Sequence, residues 1–300
     1  MNKLPSDRFG TRRTEPWILL IILTLIWGSS FILIKNGLKA FSAGEAAALR
    51  IVFAAIVLTP ALLRSKGVIS RGDLKYVVLA GVVGNLITAL LFSLAQTKID
   101  SAVSGILNSL TPAFTVIVAA FVFGYRVKSY QVSGVLIGLG GAVALSFISS
   151  DGELGEMNSY AWLIVIATVC YAMSLNIMKC KLAHVNSLTI ASLAFMSIAP
   201  VCLIYLLAFS DFLTDIRSHT DAVTSVASLA MLGTFSSAVG LILYARLIKL
   251  SSPVFASSVA YLMPLVALMW GMADGERIHA LQIVAMAVII SGVLMANKNS

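Results

Sequence analysis

Residues 101–124 read SAVSGILNSLTPAFTVIVAAFVFG, and a related stretch, PVFASSVAYLMPLVALMWGMADG, recurs at 253–275. Each is apolar enough to cross a bilayer. Each also holds a proline in its middle, Pro112 or Pro264, which removes one backbone hydrogen bond and exposes a carbonyl. A helix interrupted in that way needs a neighbour or a cavity. Ahead of Pro112, Ser101, Ser104, Asn108 and Thr111, with Thr115 beyond, recur every three or four residues and share one helical face. That face does not suit lipid. A polar stripe and a proline break in two copies indicate two related halves with a path or pocket between them, and make Pro112 and Pro264 candidate hinges.

Working outward, 59% hydrophobic residues against 11% charged exclude an ordinary soluble domain, and the mean hydropathy of +0.96 agrees. Ten apolar runs of roughly 20 residues, the length that crosses about 30 Å of hydrocarbon as helix, fall at 17–38, 43–63, 74–95, 101–123, 130–149, 159–179, 186–209, 225–248, 253–272 and 279–296. The expected fold is therefore all-α and integral to the membrane, with ten transmembrane helices. The longest gap, 210–224, holds Asp211, Asp215, Arg217, His219 and Asp221 and reads as a surface loop or interfacial turn.

The net charge of +8 is explained by where the charges lie, without a nucleic-acid partner. Of the 21 Lys and Arg, fifteen lie at the chain ends and in alternate loops: Lys3, Arg8, Arg12, Arg13, Arg64, Lys66, Arg71, Lys75, Arg126, Lys128, Lys179, Lys181, Arg246, Lys249 and Lys298. Five lie on the other side, Lys35, Lys39, Lys98, Arg217 and Arg277, and Arg50 falls inside the membrane. The positive-inside rule then puts both termini in the cytoplasm of a multi-pass protein of the cell's inner (plasma) membrane. The acidic loop of Asp151, Glu153 and Glu156 would face outward. The basic N-terminus before Trp17 reads as the flank of an uncleaved first span, since the apolar run continues to Leu38 without a small-residue cleavage site.

The halves can be aligned. Trp27–Lys35, WGSSFILIK, matches Tyr171–Lys179, YAMSLNIMK, 144 residues later, pairing Ser30 with Ser174 and Lys35 with Lys179. Gly81 with Gly233, Phe92 with Tyr244 and Pro112 with Pro264 are each 152 apart, and Gly141 with Gly292 is 151 apart. Five helices per half is odd, so consecutive halves at 1–150 and 151–300 must enter the membrane from opposite sides. The expected architecture is two inverted five-helix repeats.

Several motifs along the whole chain resemble the EamA-type permeases of the drug/metabolite transporter superfamily: Trp27-Gly28-Ser29-Ser30-Phe31 with Lys35, Arg50-Ile51-Val52-Phe53-Ala54-Ala55, Leu110-Thr111-Pro112, and Gly275-Glu276-Arg277. The resemblance implies an inner-membrane carrier that exports amino acids or similar small metabolites by alternating access. It implies a central cavity among spans 1–4 and 6–9, with spans 5 and 10 outside. The family pattern has Gly-Glu-Arg after the fourth span too. Here Gly124-Tyr125-Arg126 puts Tyr in place of the Glu.

Helical spacing nominates the residues of that cavity. Asn85, Thr88, Phe92 and Gln96 share a face of span 3, with Ser237, Gly240, Tyr244 and Ile248 as repeat partners. Asn108, Trp27, Ser30, Tyr171, Ser174, Ser257 and Tyr261 complete the set. The other reading of each Ser, Thr or Asn is a hydrogen bond between helices. Gly134, Gly138, Gly141 and Ala142 permit close contact of span 5 with span 10 or with a second protomer, so the chain is a monomer or a weak homodimer. Glu45 and Arg50 are the ionisable residues of span 2, in a binding or a structural role. Glu45 is the nearest acid for proton coupling. They are five residues apart, about 140° around the helix, and cannot pair well with each other. Arg50 must reach the carbonyls of another helix or the carboxylate of a substrate.

His184, His219 and His279 are scattered, Cys170, Cys180 and Cys202 form no metal-ligand pattern, and no phosphate-binding glycine loop occurs. A non-enzyme without cofactor or metal is expected, whose partners are a small neutral or zwitterionic substrate and the lipid bilayer. An integral-membrane enzyme or a channel is the alternative.

Overall fold

The computed structural model describes residues 14–64, 69–126, 128–148, 153–155, 157–250 and 253–296. Of the charged residues named above, Lys3, Arg8, Arg12, Arg13, Lys66, Asp151, Glu156 and Lys298 lie outside that range, as do the side chains of Arg64, Lys249, Ile248 and Ser257. Eight helices among the described residues are long and apolar enough to cross a membrane, and two shorter apolar helices near the C-terminus complete the ten.

Span 1 joins Glu15–Gly28 to Ser30–Gly37, span 2 is Ala43–Arg64, and span 3 joins Arg71–Gly81, a π segment Val82–Ile87, and Thr88–Ala95. Span 4 joins Ser101–Asn108 to Thr111–Phe123, span 5 is Ser129–Ser146, span 6 Tyr160–Lys181 and span 7 Ser187–Ala208. Span 8 joins Ala222–Met231, a second π segment Leu232–Val239, and Gly240–Leu250, and is followed by span 9, Pro253–Ala273, and span 10, Ala280–Ala296. These bounds agree with the apolar runs to within a few residues. The 210–224 segment differs, because Phe212–Ser218 forms a short helix there. Phe212, Leu213 and Ile216 lie on one side of it, and Phe212 rests on Phe41 with ring centroids 5.7 Å apart.

Packing follows an exchange of halves. Span 1 against span 9 is matched by span 6 against span 4, span 2 against 8 by span 7 against 3, and span 3 against 6 by span 8 against 1. Spans 2 and 7, 4 and 9, and 5 and 10 meet their own counterparts. The match extends to single residues. A Cβ on Gly81 would sit 2.9 Å from the Ala194 carbonyl oxygen, and one on Gly233 would sit 2.5 Å from that of Arg50. Ala194 is Arg50 shifted by the same 144 residues that relate Trp27 to Tyr171. We call the face where span 1 starts proximal and the face where it ends distal.

Pro264 lies inside a continuous helix, as expected. Pro112 does not. It stands in the first turn of the second segment of span 4, behind a break at Ser109 and Leu110. The proline lacks the N–H that would serve the Asn108 carbonyl, and the Thr111 hydroxyl serves it instead, at 2.9 Å.

Spans 5 and 10 approach at backbone distance. A Cβ on Gly134 would lie 2.4 Å from the Ala296 nitrogen and 2.5 Å from the Gly292 oxygen, whereas one on Gly140 would meet nothing within 4 Å. Backbone cannot swing aside as a side chain can. Gly134→Ala is therefore expected to destabilise the detergent-solubilised protein by about 1–3 kcal/mol, read as a lower melting temperature. Gly140→Ala, in the same helix, should be neutral or slightly stabilising. Equal effects would contradict this packing.

Candidate functional site

The π segment of span 8 packs on span 1, and that of span 3 packs on span 6. A π segment widens the helix and displaces its carbonyls from their usual partners, which is why such segments gather at functional positions. In span 8 the Ser236 carbonyl accepts from Trp27 Nε1 at 2.9 Å, and the Ser236 hydroxyl is 2.8 Å from that of the buried Ser30. Trp27 packs on Tyr244 with centroids 5.0 Å apart. The other half repeats the arrangement. The buried Ser174 donates to the Ala80 carbonyl at 3.0 Å, and Tyr171 packs on Phe92 at 6.0 Å. Phe92 also meets Phe31, again at 6.0 Å. Two aromatic pairs thus stand in equivalent places, Trp27 with Tyr244 towards the proximal side and Tyr171 with Phe92 towards the distal side.

Among the other nominated residues, Thr88 is fully buried and donates within its own helix to the Gly84 carbonyl at 2.6 Å. Asn85 is half-buried inside the first π segment. Asn108 is buried beside the break of span 4, its Oδ1 3.4 Å from the Thr111 hydroxyl. Tyr261 is half-buried against the main core. Sequence spacing passed over Asn176, whose Nδ2 donates to the Thr115 carbonyl at 3.0 Å and to the Ala172 carbonyl at 2.8 Å, tying span 6 to span 4. An amide in mid-span was the signal available, since hydrocarbon offers it no partner. Two clefts open elsewhere. One of about 410 Å³ lies between spans 5 and 10 around Gly141 and Val288. One of about 250 Å³ lies between spans 7 and 8 around Leu188 and Arg246.

The ionisable pair of span 2 divides its roles. Glu45 is buried in the first turn, where its Oε2 accepts from the Ser42 N–H and hydroxyl, both at 2.8 Å, while the Ser42 hydroxyl faces the Glu45 N–H at 3.4 Å. This is a capping box, which closes a helix start by reciprocal bonds. Glu45 Oε1 is buried with no hydrogen-bond partner among the described residues. Arg50 lies deeper and is half-buried, and its Nε donates to the Ser237 hydroxyl across the interface at 3.0 Å. It has no part in any of the four ion pairs among the described residues. Among the described residues its one hydrogen-bond partner, the Ser237 hydroxyl, is neutral.

The distal end is closed by charge. Lys35 Nζ, at the end of span 1, lies 2.7 Å from both Asp274 and Glu276 beyond span 9. Glu276 also accepts from the Ser101 N–H at 3.0 Å, the Ser101 hydroxyl at 2.8 Å and the Ala102 N–H at 3.1 Å. Its side chain is 3% exposed. The carboxylate thus caps the first turn of span 4 from another span, in place of the N-cap residue Asp100, whose side chain makes no cap bond. Three spans are held by one buried anion. The repeat partners at the proximal end are Lys179 and Tyr125, where the ammonium stands over the phenol ring at 5.7 Å and the hydroxyl is 3.8 Å from Cys180 Sγ. Both groups are exposed. An exposed cation–π contact is worth about 0.5–1 kcal/mol, whereas breaking a buried ion pair costs about 3–5 kcal/mol. Lys35 and Glu276 are both legible in the sequence as motif residues, but their meeting needed the fold.

The EamA-like transporter family model matches residues 15–147 and again 158–298. A transporter of Archaeoglobus fulgidus, itself uncharacterised, is 26% identical over 86% of this chain and 89% of its own length. The inner membrane transporter YedA of Escherichia coli K12 is 25% identical over 92% of this chain and 88% of its own. A "probable terminal-alkyne amino-acid exporter" of Streptantibioticus cattleyicolor is 25% identical over 94% of this chain and 93% of its own. A solved crystal structure superposes with a TM-score of 0.62 at 17% identity, covering 94% of this chain and 96% of the other, which supports the ten-helix fold.

The distal cluster fixes the sign of a pH dependence. Burial alone would raise the Glu276 carboxyl, but hydrogen bonds from Lys35, from the Ser101 hydroxyl, and from the Ala102 and Ser101 N–H groups outweigh it and hold the group below its usual value of 4.5. A carboxyl depressed on folding contributes stability that is complete above its unfolded value and is lost as pH falls through the folded one. Asp100 acts oppositely, since burial first and then the Glu276 charge push it up. The melting temperature in detergent is thus expected to decline as pH drops below 4.5. Glu276→Gln should lower it at neutral pH and flatten that acid limb, while Asp100→Asn should leave the limb in place. An unchanged limb in Glu276→Gln would assign it to another group.

Proposed function

The chain belongs to the EamA-like transporter family, and we propose that it exports amino acids or similar small zwitterionic metabolites by alternating access, with Arg50 taking the substrate carboxylate. The chain is a multi-pass membrane transporter. The reading of its substrate rests on one observation: among the described residues Arg50, half-buried in a membrane span, has one neutral hydrogen-bond partner and no carboxylate in ion-pair contact. A charge so placed costs a few kcal/mol unless it is compensated. A guanidinium presents five donors in a planar fork that matches a carboxylate. The Ser237 hydroxyl accepts from Nε and orients the guanidinium plane, which leaves the terminal nitrogens to form a two-bond contact with a carboxylate. The aromatic pairs Trp27 with Tyr244 and Tyr171 with Phe92 would supply apolar walls. The relative named as an amino-acid exporter supports the same substrate class. The excess of Lys and Arg in the proximal loops supports both termini on the cytoplasmic side of the inner membrane, with the halves dividing near residue 150, and on this reading proximal means cytoplasmic.

Two experiments test this. In proteoliposomes, Arg50→Lys, which keeps the charge and loses the fork, should cut flux of carboxylate-bearing substrates by about tenfold to a hundredfold, the range for losing a charge-assisted hydrogen bond. Substrates lacking a carboxylate should be affected less. Equal loss for both, or failure of the variant to insert, favours a structural role for Arg50. For orientation, a reporter active only outside the cytoplasm should be silent when fused after Ser300 and active when inserted between Glu153 and Glu156. The reverse would overturn the orientation.

A further inference from the structure

The ends of spans 4 and 9 share one backbone design and differ in the residue that it presents. Each span closes on a glycine in the left-handed region, Gly124 at φ 73° and Gly275 at φ 87°. In each, the next residue returns its N–H to an earlier carbonyl, Tyr125 to Ala119 at 3.1 Å and Glu276 to Gly271 at 2.8 Å. That closure turns the chain back and aims residue 125 or 276 at the lysine of the equivalent span, Lys179 or Lys35. The left-handed glycine turn is kept at both ends, with a return bond one residue longer at Tyr125 than at Glu276, while the chemistry it presents is not.

The difference is paired. At the distal end the acid Glu276 meets two free N–H groups at the start of span 4, on Ser101 and Ala102. At the proximal end the acid is replaced by Tyr125, and the residue 152 positions after Ser101, which opens span 9, is Pro253. Proline has no N–H to give. The acceptor and one of the two backbone donors are thus missing from one end of the same pseudo-symmetric device, Val254 keeping the N–H that corresponds to that of Ala102. The distal end keeps the ammonium, two carboxylates and the helix cap in contact, with the central carboxylate almost fully buried.

We propose that this unequal pair of latches sets the resting state of the carrier: without substrate it is held closed at the distal face by the Lys35–Glu276–Ser101 cluster, while at the proximal face Tyr125 leaves spans 4 and 6 without the matching ion pair, the proximal pairs Arg246–Glu15 and His184–Asp73 joining other elements through largely exposed side chains. The inference rests on the alternating-access reading. In such a carrier the helix ends at one face part while those at the other close; the distal cluster joins the ends of spans 1, 4 and 9, and the proximal contact joins the end of span 4 to span 6. A ligand or residue that favours one of two states shifts the population only through its differential interaction with them. The distal cluster is such an interaction, formed when the distal end is closed. Substrate entering from the proximal side must then supply the difference before the distal end opens, which gives the empty carrier a loading side.

The test uses the full chain in nanodiscs, in a background with Cys170, Cys180 and Cys202 replaced and with Ser104→Cys as reporter. Ser104 is fully buried one helical turn inside the distal cluster, so a charged maleimide reports distal opening. Without substrate, Glu276→Gln is expected to speed labelling by at least about tenfold, as loss of a buried charged partner predicts. The decisive variant lies at the opposite face. Tyr125→Glu gives Lys179 a carboxylate, favours proximal closure, and should raise distal labelling while Glu276 and Lys35 are intact. Tyr125→Gln, which adds no charge, should not. Acceleration by Tyr125→Glu that high salt reverses supports the latch. Unchanged distal labelling in a folded Tyr125→Glu protein overturns it, as does an equal rise in Tyr125→Gln. Labelling is read without substrate, so absence of amino-acid flux in the wild type would sink the proposed substrate and leave the labelling result standing.

Discussion

Hydrocarbon supplies no hydrogen bonds, and every departure of this chain from α-helix is shaped by that constraint. Pro112 deprives the Asn108 carbonyl of its donor, and Thr111, one residue before the proline, returns one from its side chain. The π segment of span 8 displaces carbonyls, and the Trp27 indole takes up that of Ser236. The first N–H groups of span 4 lack partners in their own helix, and Glu276 arrives from span 9 to accept them. In each case the group that repairs the backbone also joins two elements. Tertiary structure in this membrane protein is to a large extent the set of repairs its broken helices require.

Close packing supplies the rest. Lipid tails are as apolar as leucine, so association between spans depends on backbones approaching each other rather than on hiding apolar surface. Gly134 and Gly292 let spans 5 and 10 touch backbone to backbone, while Gly81 and Gly233 do the same for spans 3 with 7 and 8 with 2. A side chain at any of these would hold the helices apart. The glycines therefore fix distances, and the polar repairs fix registers.

This division explains what could be read from the sequence. The ten spans and the inverted repeat were legible because length, hydropathy and a recurring offset are local or periodic properties of the chain. The offset placed Arg50 opposite Ala194 and Trp27 opposite Tyr171, and the packing of Gly233 on Arg50 and of Gly81 on Ala194 respects the first pair. The fate of individual polar residues was less legible. Thr88 and Asn85 have the same spacing, yet one hydroxyl turns inward to its own helix, a choice made by rotamer rather than by sequence separation. Glu45, read as the nearest acid for proton coupling, is the third residue of a capping box with Ser42. The Ser-x-x-Glu pattern was present as a signal but lay hidden among apolar neighbours. Lys35 and Glu276 stand 241 residues apart, and no periodicity reaches that far.

Inverted repeats also bear on energetics. Were the two halves identical, exchanging their roles would convert one conformation of the carrier into the other, and the two would be equal in free energy by symmetry. A difference of only about 1.4 kcal/mol between them corresponds to a tenfold bias. Any departure from identity is therefore a candidate for either recognising substrate, which needs a unique geometry at the centre, or biasing the cycle, which needs unequal ends. Arg50 against Ala194 is a central departure, at the matched contacts that Gly233 and Gly81 make with them. Glu276 against Tyr125 and Ser101 against Pro253 are terminal ones, on matched glycine caps. The residues that break the symmetry stand where the backbone keeps it, so a difference in side-chain chemistry acts on the balance of states without first altering the frame that carries it.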